Sequence, residues 1–209
     1  MCFNAEVSLV IYAIGTIGSI YLWKYNKPLA IFYGWVVLMQ MIEFFLWKNQ
    51  QCLDDATREK NIMITKIGAL INNMEPIVLW IAIILFSYRT LSANIHVWMI
   101  IFCAFTILYM ENLSMNKCTV VTKESSPHLH WKWNEGSNYI IYYASFLFSL
   151  IILSLEGLEK KVSIINAVMV GAGFFLSHIL FTDTHSTGAL WCVVAAFAPW
   201  LLVNYYSKS

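Results

Sequence analysis

Long apolar stretches alternate with short polar ones along the whole chain, seven times over. The apolar stretches run over residues 7–23, 29–47, 62–88, 94–110, 139–155, 162–181 and 188–205. Their lengths centre on the ~20 residues that a helix at 1.5 Å per residue needs to cross a hydrocarbon layer of about 30 Å. The pattern therefore predicts an all-α fold, an integral membrane bundle of seven transmembrane helices forming a single domain over residues 1–209. Charged or turn-forming segments punctuate it: Lys24 to Pro28, Lys48 to Asn61, Arg89 to Ser92, Glu111 to Asn138, Glu156 to Lys161 and Thr182 to Thr187. The fourth of these is long enough to hold a re-entrant or interfacial piece. Trp23, Trp47, Trp98, Trp131, Trp133 and Trp191 fall near span ends, where interfacial aromatics sit. No basic region precedes the first stretch, so it reads as a retained helix and not a cleaved leader.

Composition sharpens the membrane reading. The 209 residues are 59% hydrophobic and only 12% charged, about half the charge of a water-soluble domain. A net charge of +1, with no glycine-rich phosphate loop and no basic run interleaved with aromatics, argues against nucleic acid as a partner. The lipid bilayer is the expected partner, with a homo-oligomer as a further arrangement.

Basic residues leave the orientation balanced. One set of loops carries Lys24, Lys27, Arg89, Lys160, Lys161 and Lys208; the other carries Lys48, Arg58, Lys60, Lys66, Lys117, Lys123 and Lys132. No Lys or Arg precedes the first helix and two follow it, which favours the N-terminus outside and the C-terminus in the cytoplasm. The sequon Asn112-Leu113-Ser114 would then lie on the external side.

Helix parity says more than charge. With seven spans, the N-terminus and the second, fourth and sixth connections share one membrane face. That face receives Cys2, Cys52, Cys118, His128, His130, Asp183 and His185, the ends of helices carrying Glu43, Glu111 and His178, and the first turns of the helix carrying Cys192. Four of five cysteines and four of five histidines converge there, whereas the opposite face has ordinary loop charges and His96.

Glu43 stands out first, because an ionisable group in an apolar helix costs about 2–3 kcal/mol on insertion scales and usually faces the bundle interior. Gln40, Glu43 and Trp47 share one helical stripe. A Glu that simply glues helices together is the plain alternative to a metal ligand, a proton acceptor or an ion-site carboxylate. Glu75 lies deeper, in Asn72-Asn73-Met74-Glu75-Pro76, where proline frees a carbonyl one turn earlier. This suits an ion or proton path as well as a simple kink. Cys2, Glu43, His128 and Cys192 would together form a thiolate, imidazole and carboxylate set suited to zinc or another transition metal. Cys52 and Cys118 are a disulfide pair if their face is oxidising. In His128-Leu129-His130-Trp131, two histidines at i, i+2 point the same way on an extended strand, and the tryptophans Trp131 and Trp133 would seat the loop at the headgroups.

Several short segments carry a resemblance. Met1-Cys2-Phe3-Asn4-Ala5, Gln40 to Glu43 with Trp47, His128-Leu129-His130-Trp131 and Trp191-Cys192 resemble motifs of an uncharacterised family of small polytopic membrane proteins from bacteria and large DNA viruses. The family begins Met-Cys-Phe/Trp-Ser-Ala, and this chain has Asn4 where Ser is usual and Pro127 where Gly is common. The resemblance implies a membrane fold, in a viral or host-cell membrane, and no activity. It picks out Cys2, Glu43, His128 and Cys192, the set that parity gathers.

Three functions follow as expectations. The first is a metal-binding site of Cys2, Glu43, His128 and Cys192, extending to a metal-dependent membrane hydrolase with Glu43 as base and His130 assisting. The second is a proton or ion channel or transporter using Glu43, Glu75, Glu111, Asn72 and His178, with Asn73 beside them. The third is a structural or receptor-like viral or host membrane component. A retinal protein is excluded because the last helix has no lysine before Lys208.

Overall fold

The computed structural model describes the backbone of residues 4–50, 52, 54–112, 117–121, 129–131, 139–180 and 187–208. It describes their side chains except at 112, 130, 139, 177–180 and 187–193. Among the described residues the chain is almost entirely helical: α1 (Ala5–Leu22), α2 (Lys27–Val36), α3 (Leu38–Lys48), α4 (Asp55–Asn73), α5 (Glu75–Phe86), α6 (Ala93–Asn112), α7 (Tyr139–Gly157), α8 (Lys160–Leu180) and α9 (Thr187–Lys208). A two-residue hairpin of β1 (Val120–Val121) and β2 (Leu129–His130) pairs antiparallel between α6 and α7, with Val120 opposite His130 and Val121 opposite Leu129.

Four helical stretches are long and apolar enough to cross a membrane: Ala5–Leu22, Lys27–Lys48, Ala93–Glu111 and Ile140–Gly157. A fifth is reached if α4 and α5, bent by 48° at Met74, form one crossing. Large apolar side chains face outward on most of the helices, among them Val10, Ile20, Leu85, Ile100, Ile141 and Phe175. Gln40, Glu43, Asn61, Asn73, Glu75 and Asn166 are buried instead. A chain with apolar residues outside and polar ones inside is built for lipid.

Two of the predicted spans are divided in the structure, the second without a sequence signal and the third at the proline-marked turn where the sequence suits a kink. The second breaks at Val37 between α2 and α3. The third breaks at Met74, where Pro76 starts α5 with a residue that needs no amide partner. The third also starts seven residues earlier than its hydropathy indicates, at Asp55. Asp54 caps α4 by accepting the Thr57 amide at 2.9 Å, and the polar first turns hide this helix from a hydropathy window.

Helix α1 is the hub of one side of the bundle, packing on α9, α3 and α2. Its approach to α9 is close. A Cβ on Gly15 would sit 3.1 Å from the Ala196 Cα, and one on Gly18 would sit 2.7 Å from the Trp200 indole nitrogen. The Trp200 indole N–H donates to the Ile14 carbonyl at 3.0 Å. On the other side, α7 packs on α8, and α5 on α2 and α7. A buried hydrogen-bond chain ties three helices there. The Tyr33 hydroxyl donates to Asn166 Oδ1 at 2.5 Å, and Asn166 Nδ2 donates to Ser154 Oγ at 2.8 Å. Asn166→Leu removes both bonds and is expected to cost about 1–2 kcal/mol, at roughly 0.6 kcal/mol or a little more for each interhelical hydrogen bond. A melting temperature in detergent equal to that of the native chain would show the linkage to be idle.

Candidate functional site

The end of the bundle where α1 begins and α3 ends carries the candidate site. Glu43 lies on α3 with a relative exposure of 1%, next to the fully buried Gln40 one turn earlier. Apolar neighbours at Ile42 and Leu46 carry the helix into the core, so the carboxyl is carried in with them. The Trp47 indole N–H, one turn further along the same stripe, is enclosed with no hydrogen-bond partner among the described residues.

Packing around α3 brings the relevant segments together. Helix α1 packs on both α3 and α9, and β2 touches α3. Cys2 lies three residues before α1 and His128 directly before β2; both fall outside the described residues. Cys192 is the sixth residue of α9 and His178 lies near the end of α8, each described by backbone alone, as is His130 in β2. Asp183 and His185 also lie outside the described residues. Among the described residues no three His, Cys, Asp or Glu side chains gather in a way that would hold a metal ion. Glu43 is the one proposed ligand whose side chain that statement covers.

Cys52 and Cys118 form a disulfide, with their Cα atoms 6.6 Å apart. Around it the connection after α6 folds back onto α4. Asn61, fully buried, acts as a surrogate strand: its Oδ1 accepts the Thr119 amide at 2.9 Å, and its Nδ2 donates to the Thr119 carbonyl at 2.9 Å and to the Asn49 carbonyl at 2.7 Å. The Thr65 and Thr119 hydroxyls meet at 2.9 Å, and the Val121 amide donates to Gln50 Oε1 at 2.7 Å. Trp131, expected to anchor the loop among headgroups, is 3% exposed and lies over Gly68, where an added Cβ would come within 3.2 Å of its ring. This cap is absent from the sequence-based expectations. Its signal is the stripe Asn61, Thr65, Gly68 and Asn72 on α4, a small and polar face that only another piece of backbone or a flat ring can cover.

The second candidate lies deeper. Glu75 is fully buried as the first residue of α5, at the bend, beside Asn72 and Asn73. Asn73 Nδ2 donates to the Ala69 carbonyl at 2.7 Å and contacts the Met110 sulfur at 3.2 Å. Helix α5 packs on α7, where the Tyr142 ring stacks on Tyr109 at 3.8 Å and the Tyr142 hydroxyl lies 3.4 Å from that of Thr106. Sequence reading missed this tyrosine pair, although Thr106 and Tyr109 share a face of α6. Glu111 is exposed at the end of α6, so it reaches the surface and not the interior.

Asn4 has a plain role. Its Oδ1 accepts the Val7 amide at 2.8 Å and caps α1. Ser and Asn are equivalent caps, so either residue at this position would start the helix. Comparison of the chain with known proteins found no matching family model, no matching curated protein and no matching solved structure.

Proposed function

We propose that this chain is a seven-span integral membrane protein with a transition-metal site at the face where α1 begins. The site would use Cys2, Glu43, His128 and Cys192, with zinc the metal that a mixed thiolate, imidazole and carboxylate set favours. One observation carries the reading: the Glu43 carboxyl is enclosed on α3, the helix flanked by the segments that lead to Cys2 and His128. Cys192 follows on α9, which shares α1 as a neighbour. As a hydrolase, the site would hold the metal through Cys2, His128 and Cys192 alone, leaving the fourth position for water and Glu43 as the base beside it instead of a ligand, with His130 assisting.

Span lengths are consistent with seven crossings. Helices α8 and α9 have 21 and 22 residues, enough for the ~30 Å hydrocarbon layer at 1.5 Å per residue. With 19 and 12 residues and a bend of 48° between them, α4 and α5 together reach about 43 Å end to end, so the outer turns of α4 would stand clear of the bilayer and carry the disulfide-tied cap. A disulfide on that face is a feature of oxidising compartments, which favours the N-terminus outside.

Metal analysis of protein purified in mild detergent without chelators tests the reading. About one zinc or other transition metal per chain is expected, falling at least ten-fold in Cys2→Ser, Glu43→Gln and Cys192→Ser. A folded, metal-free native chain would remove the site.

The buried Glu75 at the helix bend favours a second reading, a proton or ion path through the bundle. It predicts that Glu75→Gln abolishes proton or cation flux in liposomes while metal content is unchanged. Equal flux in both proteins would discard the path.

A further inference from the structure

The opposite end of the bundle carries a groove of about 290 Å³ between the α1–α2 turn, the end of α5 and the α7–α8 turn. Its walls are fixed. Trp23 meets Phe86 edge-on at 5.7 Å, and the Ser87 hydroxyl donates to the Gly157 carbonyl at 2.7 Å. Tyr25 stacks on Tyr206 at 5.5 Å, and Asn26 Nδ2 donates to the Tyr206 hydroxyl at 3.0 Å. Gly157 has no room for a side chain, since a Cβ there would lie 2.6 Å from Ile83. The ends of α1, α2, α5, α7, α8 and α9 thus meet around one concavity.

Charge and polarity describe what the groove suits. Lys27 Nζ lies 5.8 Å from the Trp23 ring centre and 5.9 Å from that of Phe86, and Lys24 Nζ lies 5.6 Å from the Tyr25 ring. Both ammonium groups are exposed, and among the described residues no carboxylate comes within 4.0 Å of either. This end of the chain holds Lys24, Lys27, Arg89, Lys160, Lys161 and Lys208 against Glu156 and Glu159, a net +4. Trp23 and Tyr88 are exposed beside the lysines, the amphipathic ring arrangement of a membrane–water interface.

We propose that this groove holds the headgroup of an anionic phospholipid from the adjoining leaflet, with Lys24 and Lys27 on the phosphate and Trp23 and Phe86 against the first acyl carbons. The inference rests on the membrane-embedded reading, which extraction of cell membranes with carbonate tests separately. It is independent of the metal site.

The test is native mass spectrometry of the full chain released from nanodiscs of mixed phosphatidylcholine and phosphatidylglycerol. Phosphatidylglycerol is expected to be retained preferentially. The preference should fall about five-fold for each lysine removed in Lys24→Gln and Lys27→Gln. Glu159→Gln, which deletes the one carboxylate lining the groove, should raise it. Lys60→Gln, on the opposite face, should leave it unchanged. Equal retention of the two lipids by the native chain, or a preference that survives the double lysine variant, overturns the assignment. Capture of inorganic phosphate by the chain in phosphatidylcholine alone would make this a free-anion site and overturn the lipid as its source.

Discussion

Replacing Cys52 or Cys118 by Ser is expected to lower stability by about 4 kcal/mol. The bridge spans 66 residues of sequence, and loop-closure entropy for a loop of that length gives roughly this figure at room temperature. The loop contains the whole of α4, α5 and α6, so the unfolded chain loses much of its freedom when the bridge is closed. Thermal unfolding in detergent of Cys52→Ser, Cys118→Ser and the double variant measures the effect, and all three should coincide. Maleimide labelling gives an independent reading: the native protein's two sulfurs should react only after reduction. Labelling of either cysteine in untreated cells would show that the bridge is not formed there. It would also withdraw the main support for placing this face outside.

Asn61→Leu is the second large effect. The substitution conserves size and removes every polar atom from a side chain that makes four hydrogen bonds, the fourth accepted from the Thr65 hydroxyl. The Thr119 amide and carbonyl would then be buried without their partner, at about 1–3 kcal/mol each, or roughly 2–6 kcal/mol together, while the half-buried Asn49 carbonyl adds less. Asn61→Asp is also informative, because it keeps the acceptor for the Thr119 amide and loses both donated bonds. The two large effects are coupled. Asn61 and Cys118 both hold the segment around Thr119, so the Asn61→Leu, Cys118→Ser double variant should lose clearly less than the sum of the single losses. Strict additivity would mean that the disulfide and the amide hold independent parts of the cap.

Much of the architecture was legible from hydropathy alone, because lipid demands continuous apolar stretches and leaves little freedom in their length. The ends of α1, α6, α7, α8 and α9 fall within a few residues of the expected positions. What escaped is where polar residues do structural work inside the bundle. Asn61, Thr65 and Asn166 look like ordinary loop or interior polar residues until their partners, 12 to 133 positions away in sequence, are known. Trp131 reads as a headgroup anchor by composition and is a lid over Gly68 by packing. The candidate site was legible to the extent that burial of Glu43 and Glu75 follows from their apolar neighbours. Cys52 and Cys118 were paired from the sequence on the condition of an oxidising face, and the fold joins them across three intervening helices.

The pairing of α1 with α9 sets an order for assembly during synthesis. Helix α1 packs most extensively with α9, so its Gly15 and Gly18 surface must wait while the helices between them, α2 to α8, are made. During that interval the narrow glycine face is open to lipid or to other helices. A bulky residue at Gly18 would first meet Trp200 and Pro199 of α9, whereas one at Gly15 would first meet Val37 between α2 and α3. A chain carrying Gly18→Leu should therefore insert normally, close its disulfide, and still be recognised by quality control as unfinished.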